Sequence, residues 1–144
     1  MKKLSTLLLL FIVSISFGQT KQKFFSQNDI TYLETIATFK PKTFLLKNGL
    51  DEFIEVKIGM SSTKESLNKL TIEKLNMIIQ EASIKTKYSL KNKSTYRPLK
   101  VFVAYLDNEW TISINYTAQN DYGATKDGTS YIMFDDLGVF KSQL

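Results

Sequence analysis

The feature that most constrains the fold is a strict alternation of apolar and polar residues in the C-terminal half of the chain. From Trp110 to Ala118, apolar or aromatic residues occupy the even positions, and Thr, Ser or Asn occupies the odd ones. A period of two is typical of a β-strand with one buried and one solvated face. Residues 99–106 are almost wholly apolar, which predicts a central strand covered on both faces. Residues 129–134 predict a further strand.

Shorter signals predict the rest of the sheet. Residues 54–60 alternate as a half-buried strand does, and residues 84–90 alternate apolar or aromatic positions with lysines. Residues 107–109 are short enough for a tight hairpin, and residues 135–138 form a turn that ends in a glycine. Val139 and Phe140 are expected to begin a last edge strand.

Two segments have helical periodicity. In residues 28–39 the apolar residues recur on one helical face, Asp29 suits the first turn, and Pro41 marks the end. A second helix has two alternative starts. It runs over 62–82 if the Ser62 to Glu65 capping box is used, or it begins at Ile72 with Thr71 as its cap.

The expected order is therefore helix, strand, helix and then adjacent strands joined by short turns. This order predicts the α+β class, with one or two helices packed on an antiparallel meander of about four to five strands. Cystatin-like and NTF2-like folds share this two-layer architecture, but the analogy is one of layers and carries no function. The expected core is Leu75, Ile78, Ile79, Val101, Val103, Trp110, Ile112, Ile114 and Phe134.

The N-terminus has the three parts of a secretory signal peptide. Lys2 and Lys3 precede an uncharged apolar stretch over residues 4–17, and Ser16 and Gly18 supply the small residues before a cleavage point. We therefore expect a cleavable signal over 1–18 and a single domain over 19–144, ordered from about residue 24. The expected protein is bacterial and exported, periplasmic or extracellular, with no transmembrane segment after cleavage.

Charge along the chain is uneven. The 144 residues carry a net charge of +5, and residues 85–100 hold six basic residues and no acid. This stretch could bind an anionic surface, which gives one alternative function. We expect no nucleic-acid partner, because the export signal weighs against one.

Composition excludes several chemistries. The chain has no Cys and no His, so thiol nucleophiles, disulfides and imidazole-based catalysis are absent. The paired acidic residues fall in or beside turns, as Asp135-Asp136 and Asp107 with Glu109 do, and no acidic residue lies within an apolar run. We therefore predict no catalytic residue, no metal site and no cofactor, although a secreted enzyme using carboxylate or tyrosine chemistry stays an alternative.

The segment over 119–128 is the best candidate for binding. Read as a ten-residue loop, it is long for a hairpin and presents Asn120, Asp121, Tyr122 and Thr125. In the competing interpretation the strands extend, Tyr122 packs inward, and Asp127-Gly128 is the turn.

Arg97 is the only arginine of the chain, and we expect it near this loop, paired with Asp121 or Asp136. These residues predict a small exported, non-catalytic module that binds a protein, a peptide or an envelope component.

Overall fold

Residues 26–144 form a seven-stranded sheet with one α-helix packed on one of its faces. The computed structural model describes residues 26–144, so the predicted signal peptide lies outside the described residues. The elements are β1 (Ile30–Leu33), β2 (Ile36–Lys47), β3 (Phe53–Thr63), α1 (Ile72–Ser89), β4 (Arg97–Leu106), β5 (Glu109–Gln119), β6 (Thr125–Phe134) and β7 (Phe140–Gln143). Short 3₁₀ turns precede β1 and flank α1.

The strands lie in the sheet in the order of the chain, from β1 to β7. Neighbouring strands are antiparallel except β3 and β4, which run parallel. Two parallel strands need a crossover connection that returns the chain to the end of the sheet at which the first strand began. Helix α1 with its flanking turns provides this connection between β3 and β4. The helix packs against β2, β5 and β6, so it lies across the sheet.

The two faces of the sheet differ in their covering. The inner face, under α1, holds the core, and its largest buried side chains are Leu46, Ile58, Met60, Tyr96, Tyr105, Trp110, Ile112, Ile114 and Phe134. From α1, Leu75, Ile78, Ile79 and Ala82 complete it. The open face is the opposite side, where Lys57, Lys100, Phe102, Ser113 and Tyr131 lie at alternating positions. All nine predicted core residues are buried.

The predicted fold class is wrong in its strand count and in its strand directions. Within residues 26–144 the sheet has seven strands and is mixed, and the α-helix that packs on it falls within the expected one or two. The predicted helix over 28–39 is instead the hairpin of β1 and β2, which turns at Glu34 with a φ of 50°. Five of its residues are Ile or Thr, whose branched side chains favour a strand, and pairing with β3 decides the outcome.

The alternative start of the second helix at Thr71 is confirmed. The Thr71 hydroxyl accepts the N–H of Lys74 at 3.2 Å, while Ser62 and Thr63 belong to β3. The helix continues to Ser89, so the predicted strand over 84–90 is wrong. In its last two turns the buried side of the helix is polar, with Ser83, Thr86 and Lys87. The Thr86 hydroxyl donates to the carbonyl of Ala82 at 3.0 Å.

The strand predictions after residue 96 hold better. In β5 the even positions face the core, as predicted. Strand β4 was expected to be covered on both faces, but most of its residues on the open face are exposed. The β4–β5 hairpin turns through Asp107 and Asn108, both with positive φ, and Gly138 has a φ of 87° in the predicted turn before β7.

Candidate functional site: the 120–124 loop and its surroundings

The connection between β5 and β6 is shorter than the sequence suggested. The two strands pair as far as Gln119 and Thr125, which leaves a loop of residues 120–124. Asp127 and Gly128 lie within β6, so they are not the turn. Gly128 is needed because the ring of Tyr116 covers it, and a Cβ there would lie 2.5 Å from Tyr116 Cζ.

Both sequence interpretations are therefore partly corrected. The strands do extend, as the second one required, but Tyr122 does not pack inward. Its side chain is 94% exposed at the tip of the loop. A large aromatic side chain left in solvent in this way contributes little to the stability of the fold and is available for contact with a partner.

The loop has a defined backbone conformation that Asn120 sets. The Asn120 side-chain oxygen accepts the N–H groups of Tyr122 and Ala124, each at 3.0 Å. Its backbone N–H donates to the carbonyl of Ala124, and its carbonyl accepts the N–H of Gly123. Gly123 has a φ of 76°, which favours glycine. Asn is suited to this role because its short amide bonds readily to nearby backbone groups.

The segment that follows α1 holds the loop from outside. The Asn92 amide donates to the carbonyls of Gln119 at 3.1 Å and Asn120 at 2.8 Å. Lys91 Nζ lies 2.7 Å from Asp121 Oδ2, and Thr95 accepts the N–H of Gln119 at 2.9 Å. The sequence analysis assigned no role to Asn92, and only its position after the helix brings it to the loop.

A depression of about 360 Å³ lies between the loop and the end of α1. Its lining combines Leu90 with the amide of Asn120, the Lys91–Asp121 ion pair and the ring of Tyr122. An aromatic ring beside a few fixed polar groups can both bury apolar surface and orient a ligand.

The structure does not join Arg97 to the loop. Arg97 lies at the start of β4, exposed on the open face opposite Thr117. Its two expected partners are engaged elsewhere, because Asp121 pairs with Lys91 and Asp136 accepts the hydroxyl of Tyr105. Thr125, the first residue of β6, is exposed opposite Gln119.

The basic stretch over 85–100 does not form one surface. Lys85 lies over the Phe140 ring, Lys87 is only 8% exposed and pairs with Asp51, and Lys93 lies over the Tyr88 ring. The remaining basic residues besides Lys91 are Arg97 and Lys100, which both lie on β4. No side-chain hydrogen bond or ion pair joins these two to any residue over 26–144.

A polar cluster missed by the sequence analysis ties the β6–β7 turn to the sheet. The Tyr105 hydroxyl donates to the Asp136 carboxylate, and Lys74 Nζ donates to the Asp136 carbonyl. The hydrogen bond from Tyr105 lowers the pKa of Asp136, and burial is the main cause that raises the pKa of Tyr105. Because these groups satisfy one another, the cluster holds the turn in place.

The part of the chain that the structure describes contains neither a metal-binding cluster nor a membrane-spanning helix. Among residues 26–144, no group of three or more acidic side chains is placed to hold a metal ion. The helices over the same residues are too short or too polar to cross a membrane.

Comparison with known proteins gives no match, so a function is assigned from the geometry described above. No protein-family model matches the chain, and neither a curated protein nor a solved structure matches it.

Proposed function

We propose that the protein is a small exported, non-catalytic binding module that contacts a protein, a peptide or an envelope component through the 120–124 loop. The observation that carries this proposal is the combination of a fully presented tyrosine with a fixed loop. Tyr122 is 94% exposed, yet the backbone around it is held by Asn120, Asn92 and the Lys91–Asp121 pair.

A fixed loop favours binding because less conformational entropy is lost when a partner docks. A tyrosine adds a large contact area and has only two side-chain torsions to order. The loop extends beyond a sheet whose core lies elsewhere, so substitutions at its tip leave the fold intact. Export is the part of the proposal that rests on the sequence pattern of residues 1–18 alone.

The test is a quantitative recovery of partners from the cell envelope with the purified mature protein and with Tyr122→Ala. A partner recovered by the first and lost by the second supports the proposal, and its affinity should fall by more than about 1 kcal/mol. The melting temperature of the variant should stay close to that of the parent, because Tyr122 makes no core contact.

Tyr32→Ala is the matched control, since Tyr32 is also exposed but lies on β1 at the opposite edge of the sheet. It should recover the same partner as the parent protein. If Tyr122→Ala melts much lower and binds every recovered partner equally well, the tyrosine is structural and the site is wrong.

A further inference from the structure

The open face presents an aromatic ring that leans over a glycine of the neighbouring strand. Phe102 on β4 is the direct neighbour of Gly59 on β3. A Cβ at position 59 would lie 3.1 Å from Phe102 Cδ2, so the ring occupies the space above the glycine. One edge of the ring therefore covers Gly59, and the Phe102 residue is 41% exposed.

A second ring lies on the same row of the sheet. Phe102 pairs with Ser113 on β5, and Ser113 pairs with Tyr131 on β6, which is 48% exposed. Two strand spacings put the two backbone positions about 10 Å apart. The side chain between them is a serine, so nothing bulky stands between the two rings.

Cations lie beside these rings without acidic partners. Lys57 on β3 and Lys100 on β4 are direct neighbours in the register, and Arg97 lies further along the same face. Like charges on directly opposed positions repel each other, which costs stability. No ion pair within residues 26–144 relieves this repulsion.

Short hydrogen-bonding side chains surround the rings and cations. Asn115 and Thr129 continue the row of Lys100, and the Thr129 hydroxyl donates to the Asn115 amide oxygen at 3.2 Å. A depression of about 330 Å³ beside them is lined by Leu99, Asn115, Asp127 and Thr129, among others.

The charge of this face decides between possible occupants. Among the described residues its basic side chains include Lys57, Arg97, Lys100 and Lys141, and its acidic side chains include Glu55, Glu109 and Asp127. Glu109 already pairs with Lys141. The Lys57–Lys100 pair has no acidic partner within residues 26–144, so the face is suited to an anionic occupant.

We propose that the open face binds an acidic polysaccharide, with sugar rings stacked on Phe102 and Tyr131 and sugar carboxylates paired with Lys57 and Lys100. The exposed parts of the two rings offer apolar surface against which the apolar face of a pyranose can pack. The short hydroxyl and amide side chains match the hydroxyl groups of a sugar in size and chemistry. This surface is separate from the 120–124 loop, and neither proposal depends on the other.

The experiment measures binding of alginate oligosaccharides, which are polyuronates, to the mature protein by calorimetry at low and moderate salt. We expect saturable binding that weakens as salt rises, because part of it is ionic. The double variant Lys57→Gln with Lys100→Gln should bind at least about tenfold more weakly. Phe102→Leu, which keeps an apolar cover on Gly59 without the ring, should bind several-fold more weakly.

A matched control distinguishes binding at this site from a general effect of positive charge. Lys126→Gln removes one exposed lysine from a position that the register pairs with Ala118, away from the open face, and it should bind as the parent does. The melting temperatures of all variants are measured, so that a loss of binding is read only from folded protein.

Four outcomes would overturn the proposal. Absence of alginate binding is one. Equal binding of poly-glutamate would reduce the face to a charge effect, and tighter binding of oligothymidylate would assign it to single-stranded nucleic acid, which also uses aromatic stacking. Unchanged alginate affinity in the lysine double variant would place the bound sugar elsewhere.

Discussion

The two faces of the sheet are built from the same strands but carry different side chains. On β5 the inner positions hold Trp110, Ile112 and Ile114, all fully buried under α1. The open positions between them hold Thr111 and Ser113, which are partly exposed. Because side chains alternate between faces, one strand can supply the stability of the fold on one side and contact chemistry on the other.

The open face also departs from what stability alone would select. It places two lysines side by side at the centre of the sheet, and it exposes Phe102 and Tyr131. Departures of this kind are expected at functional sites, where local stability is sacrificed for binding. Substitutions on the inner face should therefore be damaging, and selected substitutions on the open face should be neutral or stabilising.

The largest effect is expected from the inner face of β5. Ile112→Ala should lower the free energy of unfolding by about 2–5 kcal/mol, because it removes buried apolar contacts and leaves a cavity. Chemical denaturation measures this change directly. Ser113→Ala, one residue further along, should cost well under about 1 kcal/mol. Equal losses in the two variants would contradict the division into two faces.

A smaller effect is expected at the start of the helix that covers the inner face. Thr71→Ala removes the hydroxyl that caps the N–H of Lys74, and it should cost about 0.5–2 kcal/mol of stability. Thr71→Ser keeps a capping hydroxyl and should lose much less. Similar losses in both variants would mean that the methyl group of Thr71, and not its hydroxyl, matters.

The inner face was largely predictable from sequence, and the reason is periodicity. The alternation in β5 and the stripe of α1 through Ala82 record which positions are buried, and both were predicted. The last two turns of α1 were missed because Ser83, Thr86 and Lys87 are buried polar residues. They interrupt the apolar stripe and leave an apparent period of two over 84–90.

Long-range pairing was the part that sequence could not supply. Nothing in the local pattern of β3 or β4 shows that they pair in parallel, because their partners are some forty residues apart. The neighbouring lysines of the open face follow from that pairing alone. The loop is similar, since its residue types indicated a turn but its contacts with Lys91 and Asn92 depend on where α1 ends.

Acid should weaken the polar contacts that lie around the core. Hydrogen bonds lower the pKa of Asp51, Asp136 and Asp29, chiefly from Lys87, Tyr105 and Ser26 respectively. A carboxyl whose folded pKa is lowered stabilises the fold above its unfolded pKa of about 3.9, and this contribution is lost as the pH falls through the folded value. The free energy of unfolding should therefore fall as the pH is lowered from about 3.9 through the lower pKa values of the folded state.

Urea denaturation at a series of pH values, from neutral to below about 3.9, measures this fall in the free energy of unfolding. Asp51→Asn should make the dependence on pH shallower, and Asn is tolerated at a φ of 63°. The contribution of each carboxyl should be modest, because the carboxyls are solvent-exposed and the ion pairs are screened. An unchanged pH dependence in Asp51→Asn would show that the Lys87–Asp51 pair does not contribute.

The smallest expected effect has the opposite sign and tests the open face. Lys57→Gln removes one of two opposed like charges without touching the core, so the free energy of unfolding should rise by about 0.2–1 kcal/mol at low salt. Because salt screens the repulsion, the gain should disappear at about 1 M salt, where the screening length is near 3 Å. Lys126→Gln is the control, since its register partner is Ala118 and it should gain nothing. A loss of stability in Lys57→Gln would mean that the lysine pair is not strained in the free protein. An anionic occupant would then relieve no strain on this face, because a surface that is already at its own optimum needs no partner to neutralise it.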